Sequence, residues 1–144
     1  MADPSTLLGP VDALAPYIEP LLVVLVVLNM VTRLLAHRRH RKQVEEGAEA
    51  VARFVPHELS NVVLVLGSFY FMTVEHHGGM VLSMLVVGMV ITDFFEFESR
   101  KVEVREERPL DRPKAALVAS LLVLSYALFQ AVFYLVRPYW SSIV

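Results

Sequence analysis

The segment from Asn61 to Phe95 decides the fold, and it reads NVVLVLGSFYFMTVEHHGGMVLSMLVVGMVITDFF. Two apolar runs flank a short polar sequence that extends from Glu75 to Gly79. Each run is close to the roughly 20 residues with which an α-helix, rising about 1.5 Å per residue, crosses a bilayer. The pattern predicts a hairpin of two transmembrane helices joined by a turn at 75–79.

The composition of the whole chain is that of a membrane protein. Of its 144 residues, 56% are hydrophobic and the mean hydropathy is +0.54, whereas soluble domains contain about 45 to 50% apolar residues. The 13 basic and 15 acidic residues give a net charge of −2, which does not indicate a nucleic-acid partner. The chain has no cysteine, and this excludes disulfides, thiolate metal sites and cysteine nucleophiles.

Two further apolar segments extend the hairpin to four predicted crossings. The predicted transmembrane helices are 17–35, 59–74, 79–95 and 115–136. Apolar residues recur at helical spacing between Gln43 and Val55, so the first inner loop, 36–58, should contain an amphipathic helix at the membrane surface. In the second inner loop, 96–114, we expect coil or frayed helix rather than a strand. The predicted fold class is therefore all-α, with four transmembrane helices and an inner amphipathic helix.

The distribution of Lys and Arg predicts the orientation. A basic cluster, His37 to Lys42, directly follows the first helix, and cytoplasmic loops carry an excess of Lys and Arg. With both termini outside, every Lys and Arg except Arg137 lies at the cytoplasmic end. Residues 1–16 contain no Lys or Arg, unlike the start of a secretory signal peptide, so the first helix should be retained. We expect a multi-pass protein of the plasma membrane with both termini outside.

Polar residues within the predicted helices form an inner layer near the cytoplasmic side. Its members are Asn29, Arg33, Asn61, Asp93 and Ser120. Ionisable groups inside a membrane normally face the bundle interior and pair, so we predict an ion pair between Arg33 and Asp93 with Asn29 or Asn61 nearby. One alternative is that Arg33 reaches the headgroups while Asp93 begins the solvated loop. Another is that Asp93 serves a proton or ion relay.

A second polar layer lies near the outer surface. Its members on the first and fourth helices are Glu19, Tyr126, Gln130, Tyr134 and Arg137. Those on the fourth helix are spaced by four, four and three residues, so they share a face that looks inward or toward a partner. We expect Gln130, the most deeply embedded, to make an interhelical hydrogen bond.

The histidines suggest a metal site only at the hairpin turn. Glu75, His76 and His77 could bind a divalent metal at the surface or respond to pH. No pair of histidines lies at matching depth in two transmembrane helices, as a bis-histidine haem requires, and His57 does not begin an HExxH motif. We therefore assign no cofactor and keep metal binding at the turn as a hypothesis.

The chain also resembles a group of membrane proteins in its composition and in one loop sequence. The acidic ends, the Lys-poor and Val-rich helices, the absence of cysteine and the inner-loop sequence EFESRKVEVREE at 96–107 carry this resemblance. In these features the whole chain resembles the small uncharacterised four-helix membrane proteins of halophilic archaea. This resemblance implies no activity and no functional residues.

These patterns leave several functional classes open. The sequence contains no recognisable catalytic constellation or phosphate loop, so we do not expect an enzyme. The favoured function is that of an accessory, assembly or scaffold component of a membrane complex, with the bilayer and a membrane protein or a second copy as partners. The alternative is a small oligomeric transporter or ion-coupled carrier that uses Asp93 and Arg33. A metal- or haem-binding redox membrane protein is the least favoured class.

Overall fold

A computed structural model of the protein describes residues 11–47 and 50–139, and these residues form a helical structure. The α-helices are α1 Ile18–Glu45, α2 Val55–Val74, α3 His76–Arg105 and α4 Lys114–Val136. Short 3-10 segments lie before α1, at Val11–Tyr17, and after α4, at Arg137–Tyr139. The described ranges contain no β-strand, so the predicted all-α class is confirmed for them.

The four helices pack into a closed bundle. Each helix contacts the next one along the chain, and α4 returns to contact α1. The core between them consists of fully buried apolar side chains, among them Leu22, Val26, Leu64, Leu82, Val86 and Val123. Because lipid tails are as apolar as these side chains, a core of this kind in a bilayer is held by van der Waals packing rather than by exclusion of water.

The outside of the bundle is also apolar, which is the reverse of a soluble protein. Large apolar side chains are exposed on all four helices, for example Leu28 on α1, Leu66 on α2, Met84 on α3 and Leu122 on α4. Three helices are long and apolar enough to cross a membrane, namely α1 with the turn before it, α3 and α4. The helix α2 is not among these three, and its first two turns carry the polar residues His57, Glu58 and Asn61.

The first helix is longer than the predicted crossing. It continues without a break through the basic cluster and ends at Glu45, where Gly47 adopts the left-handed φ of +90° that favours glycine. The predicted amphipathic helix between Gln43 and Val55 is therefore wrong, since its first residues belong to α1 and residues 51–54 are irregular. Arg and Lys are good helix formers, and the chain has no Gly or Pro between residues 21 and 46 to stop α1 earlier.

The third helix likewise extends into the predicted inner loop. Residues 96–105 continue α3, so the helical alternative is confirmed there, no strand forms, and the predicted coil is wrong for these residues. Phe97, Arg100 and Val104 are buried at helical spacing, and Val104 and Phe97 pack against Val51 in a small second core. The inner connection between α3 and α4 is thus only residues 106–113, while the membrane boundaries themselves stay a prediction.

The turn of the hairpin is shorter than predicted. Only Glu75 separates α2 from α3, and the remaining residues of the predicted turn form the first turn of α3. A Cβ on Gly79 would lie 2.1 Å from the Cα of Met72, so the backbones of α2 and α3 touch at this position. Glycine is needed here because any other side chain would push the two helices apart.

Candidate functional site

All four helices contribute to a buried polar network near the end of the bundle that is predicted to be cytoplasmic, called the inner end. The members are Asn29, Thr32 and Arg33 of α1, His57, Ser60 and Asn61 of α2, Asp93 of α3 and Ser120 of α4. The residues on α1 and those on α2 each follow the spacing i, i+3, i+4, which places them on one face of their helix. Two matching polar faces therefore meet where α1 packs on α2.

An ion pair lies at the centre of the network. The Nε of Arg33 donates to Oδ1 of Asp93 at 3.1 Å, and these residues are only 1% and 7% exposed. The Nη1 of Arg33 donates to the hydroxyl of Ser120 at 3.1 Å, and that hydroxyl donates to the carbonyl of Ala116. Since an unpaired buried charge costs several kcal/mol, about 3 to 5 when one partner of a pair is removed, each of these groups depends on the other.

The second oxygen of Asp93 connects the pair to α2. It accepts a hydrogen bond from Nδ2 of Asn61 at 2.9 Å and lies against Nε2 of His57. The other ring nitrogen of His57 is 2.9 Å from the hydroxyl of Thr32, and this hydroxyl is also 2.9 Å from the carbonyl of Asn29. A hydroxyl has one proton to give. The Nδ1 of His57 therefore accepts a hydrogen bond when Thr32 donates to it, and donates to Thr32 when the hydroxyl donates to the carbonyl.

Asparagine side chains extend the network between α1 and α2. The Nδ2 of Asn29 donates to Oδ1 of Asn61 at 2.7 Å and to the hydroxyl of Ser60 at 2.9 Å. Asn29 is completely buried, and its Oδ1 has no hydrogen-bond partner. Hydrogen bonds from Asn29 to Asn61 and from Asn61 to Asp93 thus join α1, α2 and α3. The bond from Arg33 to Ser120 adds α4.

All five residues of the predicted layer, Asn29, Arg33, Asn61, Asp93 and Ser120, are in contact through this network. Arg33 and Asp93 form the ion pair, and Asn61 and Asn29 follow from it in one chain of hydrogen bonds. His57 was not included in the layer because the second crossing was expected to begin at residue 59. In the structure α2 begins at Val55, which places His57 beside Asp93. The repeated i, i+3, i+4 spacing of polar residues was the signal that could have identified His57.

The outer polar residues are only partly brought together. The side-chain amide of Gln130 donates to the hydroxyl of Tyr126 at 3.1 Å, within the same helix rather than across helices. Instead of the expected interhelical hydrogen bond, the Gln130 side chain packs against Gly78 of α3. A Cβ added to Gly78 would lie 3.0 Å from the Nε2 of Gln130. Glu19 is buried in the first turn of α1, Tyr134 is half-buried, and the side chain of Arg137 lies outside the described part of the chain.

The hairpin residues do not form a metal centre. His76 and His77 are exposed in the first turn of α3, while Glu75 is half-buried. Among residues 11–47 and 50–139 no group of three or more His, Asp or Glu side chains is arranged to hold a metal ion. The structure therefore does not bring these three residues together around a common point.

Comparison with known proteins places the chain in a family. Residues 3–144 match a family described as a domain of unknown function, DUF7313. No curated protein and no solved structure matches the chain. The match covers nearly the whole sequence, so the inner polar network and the outer residues both lie inside the family domain. The protein belongs to the DUF7313 family.

Proposed function

We propose that the protein crosses the membrane four times and acts as an accessory, assembly or scaffold component of a membrane complex. One observation carries this proposal: the ionisable groups of the polar network, Arg33, Asp93 and His57, bind one another, and a packed apolar core separates them from the outer polar layer. Such an interior is suited to hold a rigid shape in lipid rather than to conduct a solute.

The exposed side chains of the second helix support the proposal that it also crosses the membrane. Its middle and outer parts expose apolar side chains, with Val62, Leu66 and Phe69 at 55%, 62% and 42%. Its polar residues His57 and Asn61 face the bundle interior instead of lipid. Polar residues that point inward are compatible with a membrane location because their hydrogen bonds are satisfied by protein.

The apolar core argues against a transport path through one copy. Between Asn29 and Glu19 the inward positions of α1 are Val26 and Leu22, both no more than 1% exposed. Ten residues of helix correspond to about 15 Å. A carrier needs a continuous route of polar groups or water to both membrane surfaces. The buried hydroxyls of Ser68 and Ser83 lie among packed apolar side chains, so they do not provide such a route.

The inner ends of α1 and α3 provide the surface for a partner. Both helices extend past the predicted crossings and carry basic and acidic side chains, including Arg38, Arg39, Glu98 and Lys101. In the orientation predicted from Lys and Arg, with both termini outside the plasma membrane, this charged end is cytoplasmic. A membrane-protein subunit with a complementary charged inner end, or a second copy of the chain, fits this surface. The resemblance to proteins of halophilic archaea fits the same proposal, which includes no catalytic reaction and no cofactor.

The test is purification of the full chain from its native membrane in a gentle detergent at native expression. We expect a stoichiometric complex with another membrane subunit or with further copies of the chain. Charge reversal at Arg38 and Lys101 should disrupt it, whereas the matched outer variant His76→Ala with His77→Ala should leave it intact. A single unassociated chain from native membranes, or equal disruption by both sets of variants, would contradict the proposal.

A carrier that uses Asp93 is the second candidate, and the contacts of His57 favour it. The hydroxyl of Thr32, the ring of His57 and the carboxylate of Asp93 form a chain along which a proton has two positions. Reconstituted liposomes would decide between the candidates. A proton or solute flux that disappears in Asp93→Asn but persists in the exposed-loop variant Asp111→Asn would favour the carrier over the scaffold.

A further inference from the structure

A buried arginine below the polar network lacks a counter-ion. Arg100 on α3 is 6% exposed and makes no ion pair within the described residues, and its Nη2 has no hydrogen-bond partner. Among the described residues, it makes a polar contact from Nη1 to the Nδ1 of His40, at 3.4 Å. Buried arginines are normally paired, because removing an uncompensated charge from water costs several kcal/mol. This position contrasts with Arg33, whose charge is compensated by Asp93.

The carboxylate best placed to neutralise Arg100 is used elsewhere. Glu96 lies one helical turn before it, but its Oε1 accepts hydrogen bonds from the backbone amides of Ala115 and Ala116 at the start of α4. Its Oε2 is buried without a partner. Asp93, Glu96 and Glu103 act electrostatically on Arg100, yet none of them is within ion-pair distance of it. The guanidinium therefore keeps an unused donor.

A cavity next to this region is lined by further cations. Its volume is about 430 Å³, and it lies between the inner end of α1 and the connection from α3 to α4. Its lining residues are His37, Arg41, Val44, Glu45, Pro109, Leu110 and Arg112. Arg112 also lines a neighbouring cavity of about 260 Å³ that contains Arg100. Arg112 thus connects the two cavities.

His37 lies among basic side chains where it lines the cavity. It is 6% exposed, and its Nδ1 has no hydrogen-bond partner. The side chains that act electrostatically on it are Arg41, Arg100, Arg112 and His40, all of them basic. Glu45 is exposed where it lines the cavity, and Glu96, Glu103 and Asp111 line the neighbouring one. Basic side chains therefore dominate around His37, and two buried nitrogen atoms, one on His37 and one on Arg100, have no partner.

From this arrangement we propose that the cavity lined by His37, Arg41 and Arg112 binds a phosphate group. Arginine presents several N–H donors in a plane and binds phosphate oxygens with charge-assisted hydrogen bonds. The phosphate is either inorganic phosphate or the headgroup of an anionic lipid, since basic pockets at the cytoplasmic ends of transmembrane helices suit lipid headgroups. The apolar walls at Val44 and Leu110 are compatible with both. This site is independent of the scaffold proposed above, because it requires no protein partner.

The test uses the full chain with two variants at exposed lining residues, Arg41→Gln and Arg112→Gln. The matched control is Lys42→Gln, an exposed cation on the same helix that does not line the cavity. One arm titrates inorganic phosphate in neutral detergent and follows thermal unfolding. The other arm counts bound lipids by native mass spectrometry after exchange into micelles that contain phosphatidylglycerol or phosphatidylcholine. The unfolding temperature of each variant without ligand shows whether it is folded.

The expected result is saturable binding in at least one arm that weakens about tenfold in each lining variant, as the loss of one charged hydrogen bond predicts. The control variant should bind like the natural sequence. Stabilisation by inorganic phosphate identifies the free anion, and selective retention of phosphatidylglycerol identifies the lipid. No saturable binding in either arm, or an equal loss in Lys42→Gln, would overturn the proposal.

Discussion

Replacing Asp93 by Asn tests the central ion pair, because the two side chains have nearly the same shape. The substitution removes the negative charge that compensates Arg33, which is 1% exposed. It also places an NH₂ group where the carboxylate now meets donors from Arg33, His57 and Asn61. Removing one partner of a buried pair costs about 3 to 5 kcal/mol. We expect Asp93→Asn to lower the free energy of unfolding by that amount.

The assay is reversible unfolding of the purified chain by SDS in mixed micelles, monitored by circular dichroism. Asp111→Asn is the control, since Asp111 lies exposed in the inner connection and makes no ion pair within the described residues. It should change the free energy of unfolding by less than about 0.5 kcal/mol. The double variant of Arg33→Gln with Asp93→Asn should cost less than the sum of the single variants, by about 1 to 3 kcal/mol for residues in contact.

Two results would refute this reasoning. One is a cost for Asp93→Asn that does not exceed the cost for Asp111→Asn. The other is strict additivity in the double variant, because it would mean that Arg33 and Asp93 do not stabilise each other despite their 3.1 Å contact.

Three further predictions concern the helix backbone and the network, and all are checked by the same unfolding assay. Gly79→Ala should strongly lower the free energy of unfolding, because its Cβ would lie 2.1 Å from the Cα of Met72. Gly88→Ala should be neutral or stabilise by up to about 1 kcal/mol, since a Cβ there meets nothing within 4 Å. Similar effects of both would show that α2 and α3 do not touch at Gly79. Glu107→Gly should stabilise by about 1 kcal/mol because Glu107 has a φ of 57°, which glycine adopts without strain; a loss of stability would contradict this. Ser120→Ala should lower the free energy of unfolding by about 1 to 3 kcal/mol, because the buried Nη1 of Arg33 loses its acceptor. An equal effect of Ser125→Ala, at an exposed serine of the same helix, would count against the network.

The sequence was sufficient to predict the helical class and the inner layer, because both depend on simple periodicities. Apolar runs of membrane length predict helices, and polar residues at equal depth in different helices predict a common layer. Arg33, Asp93, Asn29 and Asn61 are in one hydrogen-bonded chain in the structure. Depth alone does not determine which of these side chains touch, since this depends on how each helix is rotated about its axis.

The ends of the helices were less predictable, for two physical reasons. Charged residues mark where a segment leaves the membrane, but Arg, Lys and Glu are good helix formers, so α1 and α3 continue to Glu45 and Arg105. The second reason is tertiary packing. Phe97 and Val104 are buried against Val51 beyond the predicted crossings, and this contact between distant segments supports helical structure that local sequence does not require.

The hairpin turn was also only partly predictable from the sequence. The sequence Glu75 to Gly79 indicated a reversal of the chain, and a reversal occurs there. That Gly79 permits contact between two backbones, while Gly88 faces open space, depends on the three-dimensional arrangement of α2 and α3. Both glycines look equivalent in the sequence.

Site-directed labelling tests the four-crossing arrangement most directly, and the absence of native cysteine makes single-cysteine variants unambiguous. The positions are Ala50 between α1 and α2, His77 at the hairpin and Arg108 between α3 and α4, all exposed. With a membrane-impermeant maleimide on intact cells, we expect His77→Cys to react, and Ala50→Cys and Arg108→Cys to react only after permeabilisation. Labelling of Ala50→Cys and His77→Cys from the same side would show that α2 does not cross the membrane, and would contradict the account.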